Sequence, residues 1–243
     1  MSTVAVVTGA GGGIGTAMVP TLVEHGWAVV GVDLVDRPAV LDGVEWVVGD
    51  VRDEATIRRA LDAAAKLGPV RGLVTAALAE QRGPLECLSH RALADVLDVQ
   101  VAAAWAWSTA VAREDRASDG ADVSIVHVSS VHGQRAQAGM AAYAMGKAAL
   151  DALVRAAAVE WGARGVRCNA VLPGFVPVER NRARWSDPNA AGELLANHPL
   201  GRFVTAEDVA QVVAFLLGPE SRAVTGVSLP VDGGMLATLP RWA

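Results

Sequence analysis

A single α/β domain, with a parallel sheet covered by helices on both faces, is the fold this sequence predicts. Two features point there. Short, largely apolar runs such as Val4–Thr8 and Val123–Val128 alternate with longer alanine- and leucine-rich segments. Strands buried on both faces of a sheet read as continuous apolar runs instead of alternating ones. A glycine-rich turn, Gly9-Ala10-Gly11-Gly12-Gly13-Ile14-Gly15, follows the first run directly and opens a helical pattern. With 243 residues, 52% of them hydrophobic, the chain can bury one large core, and 25 glycines with 5% aromatics suit close helix–sheet packing.

Composition also excludes partners. The formal net charge of −5, without a basic cluster, argues against nucleic acid and an anionic membrane surface. No apolar run reaches the roughly 18 residues of a membrane span. Residues 3–7 enter the first strand with no basic leader, so a cytoplasmic protein is expected. Cys87 and Cys168 lie far apart with no metal-like partner pattern, and read as reduced thiols with no metal site.

The elements follow in order. Val4–Thr8 is the first strand, and strand, glycine-rich turn and helix in succession form the context of a dinucleotide site. The glycines let backbone approach a pyrophosphate, and the helix N-terminus offers N–H groups and positive dipole. Residues 27–32 form the second strand, ending at Asp33, which is placed to accept hydrogen bonds from adenosine ribose hydroxyls. Its charge repels a 2′-phosphate and favours NAD, whereas Arg37 nearby could bind that phosphate, so NADP is not excluded. Residues 44–49 read as a third strand running into Asp50-Val51 beside the adenine. Asp53 is a suitable N-cap for helix Glu54–Leu67. Residues 70–76 are the fourth strand. Ser89 caps one long helix to about Arg113, carrying Trp105 and Trp107 for packing or subunit contact. A polar surface loop is expected at 114–122. The strand Val123–Val128 leads to Ser129-Ser130, and residues 166–172 form the strand broken by Pro173-Gly174. The charged segment 175–199 reads as an irregular lid over the active site. Thr205 caps helix 207–217, and strand 227–231 ends at Asp232-Gly233-Gly234. No linker or repeat divides residues 1–243, so one domain is expected.

Tyr143 and Lys147 lie four residues apart at the start of the alanine-rich segment 148–161, so they share one helix face. A phenol titrates near ~10, and an adjacent ammonium favours the phenolate. Tyr143 is therefore a candidate general acid/base, and Ser130 projects a hydroxyl from the carboxyl end of a strand, where open α/β sheets bind ligands.

The ordered set Thr8-Gly9-x-x-x-Gly13-x-Gly15, Asp50, Ser130, Tyr143-x-x-x-Lys147, the stretch 167–174 and Val231-Asp232-Gly233-Gly234 resembles the classical short-chain dehydrogenases/reductases over essentially the whole chain. The resemblance implies a Rossmann-type doubly wound parallel sheet of about seven strands. It also implies NAD(P)-dependent hydride transfer between nicotinamide and a secondary alcohol or ketone. Tyr143 would exchange the proton at the substrate oxygen, Ser130 would hydrogen-bond that oxygen, and Lys147 would bind the nicotinamide ribose and lower the phenol pKa. Cofactor contacts would come from Gly9, Gly13, Ile14, Gly15, Asp33, Asp50, Val51, Ala76, Ala77, Tyr143, Lys147, Pro173, Gly174 and Val176. His132 and Trp185 would line the substrate pocket, and the assembly would be a homotetramer or dimer.

Three positions depart from that pattern. Thr75-Ala76-Ala77-Leu78 stands where the family has Asn-Asn-Ala-Gly. Gln100 replaces a catalytic asparagine that holds a water in a proton relay. Val178 replaces a threonine that bonds the carboxamide. These departures motivate the alternative of a weakly catalytic dinucleotide sensor or scaffold, and Arg37 with the lid arginines that of an NADPH-linked 3-ketoacyl-type reductase.

Overall fold

A computed structural model of the chain describes residues 3–41, 43–114 and 122–238. The strands are β1 Val4–Thr8, β2 Ala28–Asp33, β3 Glu45–Val48, β4 Val70–Thr75, β5 Val123–Val128, β6 Val166–Pro173 and β7 Ser228–Val231. The helices are α1 Gly15–Glu24, α2 Glu54–Leu67, α3 His90–Leu97, α4 Ala103–Glu114, α5 Ala141–Trp161, α6 Pro188–Leu195 and α7 Ala206–Leu217. All seven strands pair in parallel, in the order β3-β2-β1-β4-β5-β6-β7. The chain winds outward from β1 in one direction and from β4 in the other. The strand order therefore reverses between them, opening a crevice at their carboxyl ends.

The apolar strand runs are explained by cover on both faces. One core layer joins Val4, Val6, Leu73 and Ile125 to residues of α2, α4 and α5. The other joins Ala5, Val7, Val74 and Val126 to α1 and α7. Each fully buried leucine or isoleucine contributes about 1.5–3 kcal/mol. Trp107 is buried and donates its indole N–H to the Val51 carbonyl at 2.9 Å, whereas Trp105 is exposed. Among the described residues no helix is long and apolar enough to cross a membrane, and no group of three or more His, Cys, Asp or Glu could hold a metal ion.

The structure corrects three local readings. The long helix expected from Ser89 is broken, because a π-turn at Asp98–Ala102 separates α3 from α4. Such a turn inserts one extra residue and re-aims a side chain, here that of Gln100. Asp53 takes the extended N-cap conformation, but its side chain makes no cap hydrogen bond. The segment 175–199 is ordered, with a 3₁₀ turn at Glu179–Arg184 and then α6. Its cause was present in Asp187-Pro188: Asp187 accepts from the Asn189 and Ala190 N–H groups, and Pro188 starts the helix. Thr205, by contrast, makes the expected cap and forms a reciprocal capping box with Asp208. The polar loop expected at 114–122 falls, at 115–121, outside the described residues.

Candidate active site

The site begins where β1 runs into α1. Gly9 has φ +68°, and a Cβ there would lie 2.6 Å from the backbone of Ala76 and Ala77, so the turn fits closely against the end of β4. A Cβ on Gly15 would come 2.2 Å from the Gly9 carbonyl, and only glycine lets α1 start so close to the turn. Among the described residues the N–H groups of Gly13 and Ile14 have no hydrogen-bond partner, and no acidic residue stands in the first turn of α1. Free N–H groups at a positive helix end, bare of side chains, form an anion cradle. The residues present therefore fit the pyrophosphate of a dinucleotide.

Asp33, at the end of β2, accepts from the Gly11 N–H at 2.9 Å and the Leu34 N–H at 2.7 Å, which fixes its carboxylate beside the glycine turn. Arg37 donates to the Val44 carbonyl at 3.0 Å. Asp50 is less free than its sequence position suggests. Arg52 grips it through Nε and Nη2, the latter at 2.5 Å, and holds its carboxyl below the usual carboxylate range. Ala76 donates to the Thr8 carbonyl at 3.1 Å. The altered segment after β4 has a substitute partner: Thr75 Oγ1 hydrogen-bonds His127 Nδ1 at 2.7 Å, across β4 and β5. This residue, His127, escaped the sequence reading.

On the far side, Pro173 ends β6 and Gly174 donates to the Val231 carbonyl at 3.0 Å. Asn181 organises the segment after β6, its amide accepting from the Val178 N–H at 3.0 Å and donating to the Val176 carbonyl at 2.8 Å. Trp185 donates its indole N–H to the Val178 carbonyl at 3.1 Å, tying the 3₁₀ turn to the chain after β6. The Val178 side chain covers Gly13, where a Cβ would lie 2.5 Å from Cγ1.

Between these walls stand the polar groups of β5 and α5. Ser130 is buried, accepts from the His132 N–H at 3.2 Å and acts on the Tyr143 phenol. Lys147 is buried one turn along α5, donating to the Val128 carbonyl at 2.7 Å with its ammonium 5.5 Å from the Tyr143 ring centroid. Burial pushes the Lys147 ammonium down to about 8, against the pull of Asp151. Burial pushes the Tyr143 phenol up, opposed by Ser130. Gln100 is buried in the π-turn, donates to the Ala79 carbonyl at 2.6 Å and leaves its Oε1 without a donor. The His132 ring packs edge-on against Tyr143 at 5.8 Å.

A phenol, a hydroxyl and an ammonium converging at the carboxyl ends of a parallel sheet, beside an anion cradle, define a nicotinamide-dinucleotide-dependent oxidoreductase. Residues 9–236 match a family model described as Enoyl-(Acyl carrier protein) reductase. The chain is 38% identical to L-xylulose reductase from Mesocricetus auratus over 239 residues, covering 96% of both. It is 38% identical to cis-4-hydroxycyclohexanecarboxylate dehydrogenase from Sinomonas cyclohexanicum over 246 residues, again 96% of both. Among solved structures, a gluconate 5-dehydrogenase from Burkholderia cenocepacia J2315 in complex with NADP and tartrate superposes with TM-score 0.89 at 29% identity, covering 98% of this chain and 96% of that one. The chain belongs to the short-chain dehydrogenase/reductase family, and it is an NAD(P)-dependent alcohol dehydrogenase/carbonyl reductase.

Proposed function

We propose that Tyr143, Ser130 and Lys147 carry the reaction, with NAD(H) preferred and a small secondary alcohol or ketone as substrate. The observation that carries this reading is the convergence of buried Ser130 with Tyr143 and Lys147, whose ammonium is buried one turn along α5 and 5.5 Å from the phenol ring centroid. Gly9, Gly13, Ile14 and Gly15 would hold the pyrophosphate, and Asp33 the adenosine ribose. Asp50 and Val51 would border the adenine. Ala76, Ala77, Lys147, Pro173, Gly174 and Val176 would face the nicotinamide half. The dinucleotide supplies the hydride donor or acceptor.

In the reducing direction the Tyr143 hydroxyl donates its proton to the carbonyl oxygen while the carbonyl carbon takes up a hydride. In the oxidising direction both return. Ser130 donates a hydrogen bond to the same oxygen and stabilises the charge it gathers. A phenol pushed up by burial stays protonated at neutral pH and suits the acid role. Lys147, at about 8, is cationic at neutral pH and can return a proton to the phenol. Gln100 and Lys147 line a cavity of about 10 Å³ together with Thr8 and Thr75. That is roughly the room of one water, as a proton relay with Gln100 in the asparagine's place requires.

Asp33 favours NAD, its carboxylate fixed where a 2′-phosphate would be repelled. The NADP bound to the Burkholderia neighbour supports the NADPH-linked alternative. His132 and the segment 175–199 would line the substrate side, the latter as a lid. Exposed Trp105 and Met145 would meet a second copy in a cytoplasmic dimer or tetramer.

Fluorescence titration with NADH and NADPH, then turnover on a panel of secondary alcohols, tests this reading. NADH should bind more tightly. Tyr143→Phe should keep that binding and lose turnover by about 10²–10⁴-fold. Tighter NADPH would overturn the role of Asp33, and an active Tyr143→Phe would overturn the role of the phenol.

A further inference from the structure

Three arginines rim the approach to Tyr143, and the catalytic reading leaves them unused. Arg82 follows β4, while Arg180 and Arg184 come from the 3₁₀ turn after β6. Arg180 Nη1 meets a Glu80 carboxylate oxygen at 2.5 Å and Arg82 Nε meets the other, with the Glu80 side chain only 11% exposed. Two guanidinium groups on one carboxylate leave a net positive charge. Arg184 adds another. It is half-buried, and among the described residues it has neither an acidic nor a hydrogen-bond partner. Its guanidinium lies over the Phe175 ring, 5.4 Å from the centroid. Stacking fixes a guanidinium in place but leaves its donors open. A partly desolvated cation without an acceptor costs free energy, which an incoming anion offsets. The cluster reaches the chemistry: Arg184 and Arg82 act on His132, and Arg180 and Arg82 on Tyr143, with Glu80 opposing them at both.

We propose that Arg184, supported by Arg82 and Arg180, binds a carboxylate carried by the substrate, making the enzyme a dehydrogenase of hydroxy- and oxo-carboxylates. This rests on the reading of Tyr143 as the group at the reacting carbon. A planar two-oxygen anion suits the fork of an arginine, and Glu80 shows that a carboxylate is accommodated at this rim, one oxygen on Arg82 and the other on Arg180. A neutral polyol would leave Arg184 unpaired.

The test is calorimetric titration of the dinucleotide-loaded protein with cyclohexanecarboxylate, with its neutral isostere cyclohexanecarboxamide, and with inorganic phosphate. Wild type is compared with Arg184→Met, which keeps an apolar stem against Phe175. The carboxylate should bind at least about tenfold more tightly than the carboxamide, as charge-assisted hydrogen bonds provide. Arg184→Met should bring the two level and leave carboxamide binding unchanged. Equal binding to wild type, or a preference that survives Arg184→Met, overturns the proposal. Phosphate binding more tightly than the carboxylate overturns the assignment to carboxylates. Because the titration reads binding alone, an absence of alcohol turnover would sink the catalytic reading without deciding this one.

Discussion

At the scale of single residues, His127 shows how a departure from the family pattern is repaired. Its ring is fully buried in β5, Nδ1 bonded to Thr75 and Nε2 without a partner among the described residues. Burial, with the Lys147 charge adding to it, pushes the imidazole down to about 4 from 6.5. The folded pKa thus lies below the unfolded one. Between pH 6.5 and 4 the unfolded chain binds a proton that the folded chain refuses, so stability is complete above the upper value and is lost as pH falls toward the lower. The linked loss is about 3 kcal/mol. His127→Asn can still hydrogen-bond Thr75 but does not titrate. Urea unfolding from pH 7 to 4 should show the wild type losing about that much more than the variant, and parallel curves would refute the role assigned to burial. The sequence showed that Thr75 stands in an asparagine's place but could not name its partner, because that bond spans two strands 52 residues apart.

At the scale of elements, α3, α4 and α5 show what periodicity reads and what it misses. A π-turn has no composition signal, so a helical pattern through 90–113 reads as one rod although the structure breaks it at Gln100. Position 100 was legible as a candidate relay residue; its packing was not. Gln100 Oε1 lies where a Cβ on Gly146 would be, 2.5 Å from it, and Gly146 sits on α5 between Tyr143 and Lys147. The longer amide fits because the facing helix offers no side chain there. Gly146→Ala gains roughly 1 kcal/mol of helix propensity but crowds a packed site at a cost of about 1–3 kcal/mol. The displaced atom ends a side chain that can turn, so the melting temperature should shift by a few degrees at most. Turnover should fall several-fold or more as the amide leaves its place. Shortening the amide in the double variant Gln100→Asn/Gly146→Ala should recover part of that loss. A Gly146→Ala enzyme with wild-type kcat would show that the relay does not depend on this fit.

At the scale of the whole molecule, the order of strands and the glycine turn were readable because burial on both faces and the demands of a tight turn leave local marks. Beyond the apolar layer that α7 shares with the sheet, one polar tie of the last third of the chain was not readable, because it depends on a buried side chain meeting backbone far along the sequence. Arg167, on β6, donates to the Leu216 carbonyl at 2.9 Å and to the carbonyl and hydroxyl of Ser221 at 3.1 and 2.8 Å, and pairs with Asp122 at 3.0 Å. It thereby satisfies carbonyls at the C-terminus of α7, where the helix leaves them unpaired and the dipole favours a cation. Loss of this tie loosens α7 from β6, and β6 ends at Pro173-Gly174, the wall of the candidate site. Arg167→Met leaves the Ser221 carbonyl without its donor, while Leu216 keeps the Ser124 hydroxyl and Gly218 the Ser221 hydroxyl, so the cost is roughly 1–3 kcal/mol. Against a total stability of about 5–15 kcal/mol that is a large fraction. Arg167→Lys should recover little, since one ammonium cannot reach acceptors spread around a planar fork. Urea titration should show both midpoints well below wild type with an unchanged slope. A lysine variant as stable as wild type would mean that charge alone, and not the fork, holds α7 to the sheet.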